Sequence, residues 1–184
     1  ISSSGQYAVV TRSRVDDAPV TELRNRNGDL ILTVEIADIS GLPESWQWPE
    51  PVVMKAADGT TDIYGVVFRP SDFDPNNSYP VVDFGMESAF FTQTPPGAFL
   101  VEGMDPIQNA YYFSFAALAE LGFIVTVIDG RGTPCRSKAF HDFGYESFIQ
   151  GGGIVEHVAG IKQIAKRYSY MDLNNVGIIS IDGV

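Results

Sequence analysis

Apolar and polar positions fall into two patterns that meet between residues 41 and 55. Residues 1–40 read as short β-strands. Tyr7-Ala8-Val9-Val10-Thr11 follows a Ser4-Gly5 turn, and Val20-Thr21-Glu22-Leu23-Arg24 alternates apolar with polar. Leu30-Ile31-Leu32-Thr33-Val34 follows Asn27-Gly28, a strong hairpin signal. Pro43, Pro49 and Pro51, interleaved with Trp46 and Trp48, predict a linker over 41–55 packed on a domain surface.

Beyond the linker the period lengthens. Val52-Val53-Met54-Lys55 and Ile63-Tyr64-Gly65-Val66-Val67-Phe68 flank the turn-forming Asp58-Gly59, and Tyr79-Pro80-Val81-Val82-Asp83-Phe84 reads as a buried strand. Asn109 is placed to cap a helix over 110–121, with Gly122 as its left-handed stop. Phe123-Ile124-Val125-Thr126-Val127-Ile128 is a continuous apolar run, the mark of a strand covered on both faces. Ile154, Val158, Ile161, Ile164, Ala165 and Tyr168 recur at helical spacing, and Asn174-Asn175 turns into a terminal strand at 176–181. Strand, helix, strand, helix, strand predicts an α/β chain with a doubly wound sheet. The three strands before the linker resemble one blade of a β-propeller, a unit that needs neighbours to cover its faces.

The chain's last residues change the picture most. Val176-Gly177-Ile178-Ile179-Ser180-Ile181-Asp182-Gly183-Val184 is a β-branched run broken by a small residue, an acid and a glycine. That is how a buried strand enters the sharp turn that presents a hydrolase nucleophile, written G-x-S-x-G. Here Asp182 stands at the serine position and Ser180 where the first glycine belongs.

Composition narrows the partners. The formal net charge is −11, and basic residues adjoin only at Lys166-Arg167, too little for a basic stripe, which argues against nucleic acid and anionic membrane surfaces. No stretch approaches the ~20 apolar residues of a membrane span. A single cysteine, Cys135, excludes an internal disulfide. Two histidines without paired spacing offer no zinc motif, and no metal or cofactor is expected.

Three segments together resemble the prolyl oligopeptidase family of serine peptidases, in particular its dipeptidyl peptidase IV-like branch. Asp58-Gly59-Thr60-Thr61-Asp62-Ile63-Tyr64-Gly65, followed by Arg69-Pro70, is similar to the opening hairpin of that family's catalytic domain. Asp129-Gly130-Arg131-Gly132 is similar to its D-x-R-G loop, and Asp172-Leu173-Asn174-Asn175-Val176-Gly177-Ile178 to the approach to its nucleophile strand. The resemblance implies a division into 1–40, the end of a β-propeller, 41–55, a linker, and 56–184, the N-terminal half of an α/β-hydrolase domain. It implies that the chain is a fragment of a peptidase acting on short peptides, often after proline.

The resemblance also marks where this chain departs. The family's elbow reads G-x-S-x-G-G, and Ser180, Asp182 and Val184 occupy its Gly, Ser and Gly positions. Its oxyanion-binding Tyr matches Met86, or Phe84 on a shifted alignment, and neither has a hydroxyl to donate. The family's Asp and His follow the serine. Asp182 as a nucleophile would need a histidine to activate water, and none follows it. Ser180 lies two residues early for the turn. His141 and His157 precede the elbow and read as structural or solvated, His157 on the polar side of its helix. Cys135, near Arg131 and Arg136, reads as inert, and Gly151-Gly152-Gly153 as a packing feature before the helix rather than a phosphate loop. Asp129 and Arg131 read as structural, with Arg131 pairing a carboxylate under the sheet to hold its loop. The expectation is a peptidase scaffold inactive as it stands. The alternative is a pseudoenzyme with a binding role. The uncovered edge of the terminal strand predicts a homo-oligomer, or pairing with the remainder of a longer chain.

Overall fold

The computed structural model describes residues 1–85, 92–99, 106–147 and 152–180. Two sheets are formed. The first is an antiparallel meander of β1 (Tyr7–Arg14), β2 (Asp17–Asn25) and β3 (Leu30–Ile36) in sequential order. The second has five strands: β4 (Glu50–Lys55), β5 (Asp62–Phe68), β6 (Tyr79–Phe84), β7 (Ile124–Asp129) and β8 (Met171–Ile179), in the spatial order β4-β5-β7-β6-β8. Strands β7, β6 and β8 are mutually parallel, and the β4–β5 hairpin joins β7 antiparallel. The sheet is therefore mixed. Residues 50–55, expected in the linker, already belong to it as β4.

Alternation along β7 shows why both of its faces are buried. Ile124 and Ile128 enter one core with Val52, Met54, Ile161 and Ile164, while Val125 and Val127 enter another with Phe68, Phe84, Tyr112 and Phe115. The first core lies under α3 (Gly152–Arg167) and the second under α1 (Pro106–Ala119), so the sheet carries a helix on each face.

Three boundaries differ from expectation. Helix α1 begins at Pro106, whose missing N–H costs nothing in a first turn, so Asn109 lies inside the helix and not at its cap. The helix ends as expected: Gly122 has φ 91° and donates to the Ala119 carbonyl at 2.8 Å. Helix α3 starts at Gly152, taking two of the three glycines into its first turn. Strand β8 starts at Met171, and Asn174-Asn175 forms an irregularity within it, where pairing shifts from Pro80↔Asp172 to Val81↔Val176. Asp172 holds that bulge by accepting from the Asn174 N–H at 2.9 Å and the Asn175 amide at 2.7 Å. A further helix, α2 (Lys138–Ser147), has no counterpart in the sequence pattern. It docks by a glycine–glycine approach. A Cβ on Gly132 would lie 2.6 Å from the Gly144 Cα, and Gly132 itself holds φ 109°.

Candidate functional site

Parallel strands in open α/β sheets present their chemistry at their carboxyl ends. Here those ends are Gly85 after β6, Asp129 closing β7, and Ser180 after β8. Their alignment is fixed by the Phe84↔Ile179 register and by the Gly85 N–H donating to the Ile179 carbonyl at 3.0 Å. A Cβ on Gly85 would meet the Ile178 Cδ1 at 2.7 Å, so any larger residue there requires the Ile178 side chain to shift. Ser180 is half-buried, and its Oγ has no partner among the described residues. Asp182 and Met86 lie outside the described residues. Phe84, the alternative to Met86, is buried in the α1 core and packs against Tyr111 and Phe115 at centroid distances of 5.2 and 4.8 Å. It is directed away from any polar task.

Asp129 is buried and accepts the Gln93 N–H at 2.5 Å, the Thr94 N–H at 3.4 Å and the Thr94 hydroxyl. Burial pushes its carboxyl above the ordinary range, opposed by these hydrogen bonds and by nearby His157.

Arg131 sits between three elements. Its Nε and Nη2 donate to Glu156 Oε1 on α3 at 2.9 and 2.5 Å, and its Nη1 donates to Asp58 Oδ2 in the β4–β5 turn at 2.9 Å. The guanidinium lies 3.9 Å from the Phe143 ring centroid on α2. Glu156 is fully buried, and its other oxygen accepts the Ala57 N–H at 2.9 Å. Asp58 also accepts from the hydroxyl and N–H of Thr61 and the N–H of Thr60, and these bonds hold its carboxyl far below the usual range.

His157 is a correction. It does not face solvent; it is buried, with Nδ1 2.6 Å from Asp83 Oδ2, while Thr126 donates to Asp83 Oδ1 at 2.7 Å. The inner face of α3 near the strand ends is polar, built from Glu156 and His157. Ile154 and Val158, expected in the core, are exposed because those two residues take the inward positions to meet Arg131 and Asp83. Sequence reasoning missed Asp83, Thr126, Glu156 and His157 as a group. One signal existed: Asp83 interrupts an apolar strand, and a buried acid requires a partner. His141 packs edge-on against exposed Tyr145, 5.3 Å between centroids. Cys135 is exposed, at φ 68°. Among the described residues no three His, Cys, Asp or Glu side chains group to hold a metal, and no helix is long and apolar enough to cross a membrane.

Comparison with known proteins agrees with this geometry. A sequence profile of the prolyl oligopeptidase family matches residues 109–179, from α1 through β8. Dipeptidyl peptidase 8 of Homo sapiens is 32% identical over 144 residues, covering 78% of this chain and 15% of that protein. Dipeptidyl peptidase 8 of Mus musculus is 31% identical over the same length, with the same coverage. A crystal structure from Bacteroides ovatus assigned to dipeptidyl aminopeptidase IV superposes with TM-score 0.74 at 26% identity, covering 98% of this chain and 24% of that one. The chain thus spans about 15% of the length of the curated relatives it matches. With motifs, strand order and relatives in agreement, this chain belongs to the prolyl oligopeptidase family, on its dipeptidyl peptidase IV-like side.

Proposed function

We propose that the chain is a peptidase-like scaffold whose nucleophile position has lost serine chemistry. In this reading the β1–β3 sheet is the end of a propeller, and the chain from β4 (Glu50–Lys55) onward is the N-terminal half of an α/β-hydrolase domain. The observation that carries it is β8: a parallel strand beside β6 leading directly into Ser180-Ile181-Asp182-Gly183-Val184, where the family reads G-x-S-x-G-G. An aspartate there cannot form the acyl-enzyme ester that a serine forms. His157 pairs with the buried Asp83, and the half-buried His141 packs edge-on against Tyr145. Met86 in place of the oxyanion tyrosine removes a second contribution to acyl transfer. Two losses at one site favour a binding role on a retained scaffold, with short peptides as the ligand class. Arg131 and Asp129 serve there as structural residues, holding the loops around the strand ends.

The test is direct. The chain should not hydrolyse prolyl dipeptide chromogenic substrates or take a fluorophosphonate label. Stoichiometric labelling of Ser180, or turnover lost on Asp182→Asn, would sink the reading.

A further inference from the structure

Residues 92–99 touch both sheets. At one end Gln93 and Thr94 are bound by the buried carboxylate of Asp129 at the close of β7. At the other end the Ala98 N–H donates to Ser13 Oγ on β1 at 3.0 Å. Phe99 follows at φ 58°, a conformation that an aromatic residue holds only when its surroundings impose it. Those surroundings are rings: Trp48 at 5.6 Å, Tyr112 at 5.5 Å, Phe113 at 6.3 Å and Trp46 at 6.4 Å between centroids. Tyr112 is buried and also packs edge-on to Phe68 of β5, and its hydroxyl reaches the Val15 carbonyl in the β1–β2 turn at 3.5 Å. Val15 is itself buried in the α1 core. Between the two anchors lie only Pro95, Pro96 and Gly97. Pro95 and Pro96 fix φ near −65° at two of these three positions, so a displacement at one anchor is carried along the connector with Gly97 as its one permissive joint.

We propose that residues 92–99 form a stiff strap that couples the docking of the β1–β3 sheet to the geometry at the carboxyl end of β7. When the β1–β2 turn seats against α1, Ser13 and the ring pocket around Phe99 fix one end. The Pro95-Pro96 segment carries that position to Thr94, and Thr94 fixes the Asp129 carboxylate. Displacement of the three-stranded sheet therefore reaches the strand ends along the backbone of residues 94–98. The coupling stands whether or not the strand ends carry any chemistry.

The protein carries its own reporter, since Trp46 and Trp48 are its only tryptophans and both flank Phe99. Thr94→Val removes the hydroxyl held by Asp129 with little change of shape, at the anchor remote from the tryptophans. It should increase acrylamide quenching of tryptophan emission by about twofold or more, as loss of one hydrogen bond shifts a local equilibrium. In a Pro95→Gly/Pro96→Gly background the same substitution should leave quenching unchanged, because the connector no longer transmits. Phe99→Ala is the control that the emission reads the pocket, and it should raise quenching in either background. Quenching unaffected by Thr94→Val, affected equally in both backgrounds, or unaffected by Phe99→Ala would each overturn the strap. If Thr94→Val does not fold, Ser13→Ala reads the coupling from the other end. Deuterium uptake at the Gln93 and Thr94 amides should then rise by about twofold or more, and unchanged uptake there would overturn the proposal.

Discussion

Removing Arg131 should destabilise the protein for one specific reason: it leaves the Glu156 carboxylate charged and sealed from water. Glu156 is fully buried, and Arg131 supplies two of the three donors that its oxygens accept, at 2.9 and 2.5 Å; the third is the Ala57 N–H. Breaking such a pair by deleting one member costs about 3–5 kcal/mol, whereas Arg131→Met also forgoes the contact with the Phe143 ring, about 1 kcal/mol. The alternative explanation is that Arg131 acts only by filling space on Phe143. A second substitution separates them. In the parent, Glu156→Gln weakens two charge-assisted bonds and should cost about 1–2 kcal/mol. In the Arg131→Met background the same substitution should be stabilising, because a neutral amide keeps the Ala57 bond and removes the stranded charge. The expected signature is a change of sign, read by urea denaturation with far-UV circular dichroism at constant pH. If Glu156→Gln is destabilising by a similar amount in both backgrounds, the pair is not the source of the stability and the reasoning fails.

Gly132→Ala should cost about 1–3 kcal/mol by overpacking, since the added Cβ meets the Gly144 backbone at 2.6 Å. Gly59→Ala, at φ 72° with nothing within 4 Å, should show only the conformational part; equal costs in thermal melts would refute the close-approach account. The raised Asp129 carboxyl contributes stability that is complete below its unfolded pKa and is lost as pH rises through its folded pKa. Asp129→Asn should therefore flatten the decline in Tm as pH rises above the ordinary Asp range of about pH 4, and an unchanged slope would count against the burial of this carboxyl. Strand β8 lies at the edge of its sheet, with Val176, Ile178 and Ile179 exposed, so the chain should self-associate as concentration rises and Val176→Lys should reduce that association. A monomer by light scattering at high concentration, with a cooperative melt, would contradict it.

The elements whose cause is local were legible in the sequence. Asn27-Gly28 predicts the β2–β3 hairpin because the turn's backbone demand is met by those residues alone, and Gly28 indeed sits at φ 90°. The β-branched run of β7, apolar except at Thr126, predicts burial on both faces because every position of a strand covered on both sides is enclosed. Gly122 ends α1 for an equally local reason. What failed was periodic but not local. Helix α2 is short, and its place is set by partners outside it: Gly132 against Gly144, and Arg136 and Arg131 over Phe140 and Phe143.

The inner face of α3 makes the same point about the candidate site. Hydrophobic spacing selected Ile154 and Val158 for the core, and both are exposed. Spacing measures what a helix would bury against an apolar wall, and the wall at the strand ends is not apolar. It presents Asp83 from β6 and Arg131 from the loop after β7, each far from α3 in sequence. Glu156 and His157 turn inward because each completes a charge that would otherwise be buried alone, and a buried unpaired charge costs more than two exposed aliphatic side chains. Polar residues on an inner face are therefore selected by partners rather than by period. Such partners lie on neighbouring strands and loops, so a single helix pattern cannot show them. Asp83 was the readable clue, an acid inside an apolar strand whose neighbours in sequence offered it nothing.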